Sequence, residues 1–204
     1  MTEERNTGEN KAWELLASLV PEAVCRAASA TYDSSEKKYT LRSFGMDLHV
    51  SVNGRSISST AEGGAVLLGK LGNFFRISLL WYLVSVRDIA CTGRLVKLEQ
   101  IRGGDIFTKG SHLLPLHSIV ERYGKNKEGF LARANYLGGE QLMQPGDAAI
   151  RLFPLPGIPV ILSLWMEDDE FPARADIFFD STCELRMPTD IIWSVAMTTI
   201  HMMS

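Results

Sequence analysis

The segment Trp165-Met-Glu-Asp-Asp-Glu-Phe-Pro172 concentrates the side chains best suited to chemistry in this chain of 204 residues. Glu167, Asp168, Asp169 and Glu170 stand in succession between two aromatic residues, and Asp176 and Asp180 follow at the two ends of an apolar run. Between Met166 and Asp190 the only basic residues are Arg174 and Arg186. Crowded carboxylates repel one another. A hard cation or a basic partner relieves the repulsion, or one carboxyl keeps its proton and can serve as an acid catalyst. The same run also suits a solvated hairpin loop, where acids cost little and discourage edge-to-edge aggregation. Aromatic rings beside fixed charge have the composition of a recognition surface. The candidate binding residues are therefore Trp165, Asp168, Asp169, Glu170, Phe171 and Asp180, with no metal site assigned.

Other chemistries each lack a necessary residue. Gly64-Ala-Val-Leu-Leu-Gly69-Lys70 has the spacing of a phosphate-cradling loop, but Leu71 stands where a hydroxyl must reach magnesium. His112 and His117 are five apart across Pro115, the wrong spacing for two imidazoles on one metal. His117 and Glu121 share a helical face and read equally as a metal pair or a solvated pair. His49 falls on the wet face of a strand. No Gly-x-Ser-x-Gly elbow and no CxxC pair occurs. Cys183 lies among Asp180, Glu184 and Arg186, and those acids raise a thiol pKa rather than activate it.

The elements that must position these residues are legible from periodicity. Residues 1–10 read as a disordered tail and 11–204 as a single domain. Trp13, Leu16 and Val20 recur at helical spacing up to Pro21, and a short helix carrying Val24, Ala27 and Ala28 follows. Met46, Leu48, Val50 and Val52 alternate with polar residues as in a strand. Asn53-Gly54 then turns the chain so that 55–59 pairs back. Phe74 to Val86 is apolar almost throughout and reads as the core helix. A strand at Val96 and Leu98 should stop at Gly103-Gly104. Two amphipathic helices end at Gly124 and at Gly138-Gly139, where glycine suits a left-handed cap. Residues 148–153, 159–166 and 175–180 are apolar runs of strand length joined by turns, as in an antiparallel meander. Thr189 should cap a last helix whose buried face carries Ile192, Val195, Ala196, Thr199 and Met203. Strands near both ends with helices between them predict an α+β fold, a largely antiparallel or mixed sheet covered by helices.

Composition narrows the classes of partner. A net charge of −3 leaves no basic stripe for nucleic acid. The stretch 65–86 is interrupted by Lys70, Asn73 and Arg76, which argues against a membrane span. Three widely separated cysteines and a polar start without the pattern of a signal sequence fit reduced thiols and a cytoplasmic location.

The run Leu155-Pro-Gly-Ile-Pro-Val-Ile-Leu-Ser-Leu-Trp165, the Asp168-Asp-Glu-Phe-Pro172 loop and Ile177-Phe-Phe-Asp180 resemble the family known as domain of unknown function 3786. Leu79-Leu-Trp-Tyr-Leu83, Gly103-Gly104, Phe130, Leu137-Gly-Gly139, Gly146-Asp147 and Thr189-Asp190 extend the resemblance from about Pro21 to the C-terminus. The resemblance implies an accessory role in anaerobic metabolism and transfers no catalytic residue. The expected function is a non-catalytic accessory protein whose acidic loop faces a partner protein or small ligand. The alternative is a metal-assisted or acid-base enzyme using Asp168, Glu170 and Asp180. The cofactor and the oligomeric state are left open.

Overall fold

The computed structural model describes residues 2–69, 72–108 and 110–204. Among them the chain forms eight α-helices and two antiparallel sheets, an α+β single domain. The elements are helices α1 (Thr2–Ser18), α2 (Pro21–Ala28), α3 (Glu62–Leu68), α4 (Gly72–Ser85), α5 (His117–Tyr123), α6 (Lys127–Tyr136), α7 (Cys183–Arg186) and α8 (Thr189–Met203). The strands are β1 (Thr31–Asp33), β2 (Lys38–Ser43), β3 (Met46–Ser51), β4 (Ser56–Ser58), β5 (Leu95–Val96), β6 (Glu140–Leu142), β7 (Ala148–Leu155), β8 (Ile158–Trp165) and β9 (Arg174–Asp180). The smaller sheet has the order β1-β2-β3-β4, and the larger has β5-β9-β8-β7-β6.

Helix α4 is the core helix that its apolar run predicts. Phe75, Leu79, Leu80, Tyr82 and Leu83 are all buried, and the helix packs against both α1 and α8. The meander is present as expected, with β7, β8 and β9 paired antiparallel. Alternate residues Ile150, Leu152, Val160, Leu162, Leu164, Ile177 and Phe179 join the helices in one continuous core. The β3–β4 hairpin pairs His49 with Ser58 and Ser51 with Ser56 around Asn53-Gly54.

Several local expectations need correction. Val20 does not continue the face of Trp13 and Leu16, because α1 stops at Ser18 and Val20 becomes the exposed residue capping α2, whose first residue is Pro21. The strand at 96–98 is only Leu95–Val96. Leu98–Gln100 turns into a 3-10 helix, with the Gln100 side chain accepting from the Lys97 backbone N–H. Thr189 is the first residue of α8 rather than its cap. The cap position is Pro188, and the Thr189 hydroxyl donates instead to the Arg102 carbonyl at 2.9 Å. Helix α1 takes in positions 2–10, the stretch that reads as tail, and Glu9 within it accepts from Arg76 at 2.7 Å. Strands β1, β2 and β6 have no counterpart in the sequence reading. Buried Tyr39 and Leu41, alternating with Thr40 and Arg42, are the signal that would have found β2. Among the described residues no helix is long and apolar enough to cross a membrane.

Candidate functional site

The acidic loop connects β8 to β9 and closes on itself around Asp168. The Asp168 Oδ1 accepts from the backbone N–H of Glu170 at 2.9 Å and of Phe171 at 2.7 Å, while the Asp168 N–H donates to the Phe171 carbonyl at 3.1 Å. A short acceptor side chain bonding backbone two and three residues ahead is the chemistry that makes aspartate a turn former. A second anchor fastens the loop to the α5–α6 connection. The Glu167 N–H donates to the Gly124 carbonyl at 3.1 Å, and its carboxylate pairs with Lys125 at 2.9 Å.

Where the strands leave the loop, Trp165 and Arg174 face each other directly across the β8–β9 pair. Side chains opposite one another on an antiparallel pair share a face, so the Arg174 guanidinium lies over the indole, 4.1 Å from its ring centre. The β6–β7 connection comes to the same end of the sheet. Asp147 donates its N–H to the Leu164 carbonyl at 3.0 Å and accepts the Met166 N–H on Oδ2 at 2.8 Å. Between these two connections lies a cleft of about 590 Å³ lined by Asp147, Trp165, Asp168, Phe171, Pro172 and Arg174, among others. Phe171 stands at its edge, 66 % exposed.

The structure thus brings Trp165, Asp168 and Phe171 together, and it adds Asp147 and Arg174, which sequence reasoning did not select. Gly146-Asp147 stood in the sequence only as a family signpost. Nothing in it showed that Asp147 lies beside Trp165, because the strand pairing does that. Asp169 and Glu170 are exposed on the loop outside the cleft lining.

Asp180 is not part of this arrangement. It ends β9, six residues beyond Arg174, or about 20 Å along an extended strand. There it is buried and accepts hydrogen bonds from Gly93 N at 2.6 Å, Thr92 N at 3.2 Å, and Thr182 N and Oγ1 at 3.0 and 2.7 Å. Burial opposes its ionisation, but the bonds from Thr182, Thr92 and Gly93 outweigh burial and hold its carboxyl below the ordinary pKa. Asp180 is a structural clasp for the 92–93 turn. Asp168, Glu170 and Asp180 therefore do not converge. Among the described residues no group of three or more His, Cys, Asp or Glu side chains is placed to hold a metal ion.

The remaining sequence candidates have local roles. Gly64 to Leu68 lies inside α3 and is not a loop, while Lys70 and Leu71 fall outside the described residues. His117 and Glu121 are exposed on α5. His49 is half-buried, and its Nδ1 lies 3.0 Å from the Thr40 hydroxyl. Cys25, Cys91 and Cys183 are free thiols. Burial pushes the Cys183 thiol up to about 12, so it is no nucleophile at neutral pH.

An α+β domain with an aromatic and acidic cleft at one end of its larger sheet is the class that fold and site define. Residues 20–202 match the family model described as "Domain of unknown function (DUF3786)", and the chain belongs to that family. No curated protein and no solved structure matches the chain.

Proposed function

We propose that this protein is a non-catalytic binding module whose cleft between the β6–β7 and β8–β9 connections receives a partner protein or small ligand. The observation that carries the reading is the cleft itself. A concave site of about 590 Å³ with the aromatic residues Trp165 and Phe171, and with carboxylates oriented by backbone hydrogen bonds, has the make-up of a recognition site. A large apolar side chain at the rim of a charged cleft favours recognition, because burying it on binding releases apolar surface from water. An accessory role in anaerobic metabolism and a cytoplasmic location are part of this proposal. They rest on the family resemblance and on the free thiols.

A photo-crosslinking residue placed at Phe171 tests it, with the same residue at exposed Leu185 on α7 as control. In extracts of the native cell the reading expects discrete adducts from position 171 and none in common with position 185. Identical labelling from both positions counts against the cleft.

A further inference from the structure

Building on the reading of the cleft as a binding site, we infer that its ligand is a guanidinium group carried by a basic segment of a partner protein.

Charge supplies the first argument. Asp147 and Asp168 line the cleft, with Asp169 and Glu170 on the same loop. Among the acids of the two connections, Glu167 alone is ion-paired within the described residues. Arg174, the one cation in the lining, stacks on Trp165 and pairs with no carboxylate of the described residues. An anionic ligand entering here meets the field of several fixed acids, whereas a cation is drawn into it.

Orientation supplies the second argument. Asp168 spends Oδ1 on the Glu170 and Phe171 N–H groups, and Asp147 spends Oδ2 on the Met166 N–H. Each carboxylate is therefore held in place, and its other oxygen takes no hydrogen bond from a described residue. A planar fork of N–H donors matches oxygens fixed in this way, whereas an ammonium offers only a point charge.

Arg174 supplies the third, because it already does within the chain what the ligand would do. Its guanidinium carbon sits over Trp165, 4.1 Å from the ring centre, so this aromatic face accepts a guanidinium in its own folded surroundings. Arg174 is the resident occupant, and an incoming guanidinium competes with it for the indole. Exposed Phe171 and Met143, on the two connections that form the cleft, offer apolar contacts to the residues flanking a partner arginine. That favours a peptide over a free small cation.

The test follows the indole N–H of Trp165 by two-dimensional NMR of the full chain during titration with capped Gly-Arg-Gly, Gly-Lys-Gly, Gly-Glu-Gly and Gly-Gly-Gly peptides. The arginine peptide should shift the Trp165 resonance with an affinity on the order of tenfold above that of the glutamate peptide, and high salt should weaken it severalfold. Asp168→Asn removes charge but keeps the Oδ1 acceptor of the turn, and Glu170→Gln leaves the turn untouched. Both should weaken arginine binding and leave the fold intact. Arg174→Gln removes the competitor and should tighten binding of the arginine peptide, an effect that a purely structural arginine would not produce.

Stronger binding of the glutamate or glycine peptide overturns the cation assignment and leaves the cleft as a binding site. Arginine binding unchanged by all three substitutions overturns it equally. Trp165 unmoved by every peptide overturns it as well, and if position 171 also captures nothing, the binding reading falls with it.

Discussion

The two ends of β9 show how one residue type takes opposite roles. Asp168, in the loop that leads into the strand, is an exposed turn former with a side chain still open to solvent. Asp180, at the strand's end, is buried and saturated by hydrogen bonds. Its carboxyl is held below its ordinary pKa, so the native state binds its proton less readily than the unfolded chain does. The stability that it contributes is therefore fully present above the unfolded value of about 3.9, and is lost as pH falls through the lowered native value. Asp180→Asn should lower stability near neutrality by about 1–3 kcal/mol, since it removes the charge and turns one acceptor oxygen into a donor facing donors. Urea midpoints of both proteins from about pH 6 to about pH 2 check this, with the gap narrowing in acid. Parallel curves would refute it. Of the cleft residues, Trp165, Asp168 and Phe171 are legible in sequence because they belong to one contiguous run. Asp147 and Arg174 are not, because their relevance depends on which strands pair.

At the scale of elements, the two sheets meet where two turns cross. The Ser43 hydroxyl donates to the Pro154 carbonyl at 2.6 Å, and the Phe44 N–H donates to the Phe153 carbonyl at 2.9 Å. Beside them Gly45 and Gly138 touch backbone to backbone, both at positive φ. A Cβ on Gly138 would come within 2.8 Å of the Gly45 Cα. The helix-capping glycine expected after α6 is thus also a spacer that lets α6 and the β2–β3 turn approach. Gly138→Ala combines left-handed strain with a backbone clash and should cost about 2 kcal/mol or more. A thermal melt of the variant reads this directly, and an unchanged midpoint would show that the crossing yields easily. The helix stop at Leu137 is visible in the sequence, but the crossing partner, Gly45 in the β2–β3 turn far up the chain, is not, because no local pattern encodes a contact between two turns.

At the scale of the whole molecule, Tyr82 ties the helical layer to both halves of the chain. Its hydroxyl, buried in the last turn of α4, bonds the Ala28 carbonyl at the end of α2 at 3.0 Å and the Pro156 carbonyl in the β7–β8 turn. Burial raises its phenol above the ordinary pKa, so it remains a donor throughout the neutral range. With α4 packed on α1 and α8, and with the sheets joined through β2 and β7, the chain should unfold in one transition. Tyr82→Phe should move that transition by about 1–2 kcal/mol without splitting it. Denaturation followed at once by near- and far-ultraviolet circular dichroism checks this. Separate melting of the smaller sheet would count against the expectation.

By itself the sequence determined the α+β class, the core helix, the β7–β9 meander and the acidic loop between two aromatics, because each depends on residues close together in the chain and on a period that matches one backbone geometry. Tertiary structure alone decided that Asp180 is a buried clasp remote from the loop, that Asp147 and Arg174 complete a cleft with Trp165, and that Gly45 meets Gly138. Those outcomes follow from strand pairing and from packing between distant segments. Pairing register carries a side chain to one face or the other, and no local pattern states which distant residue will be its neighbour.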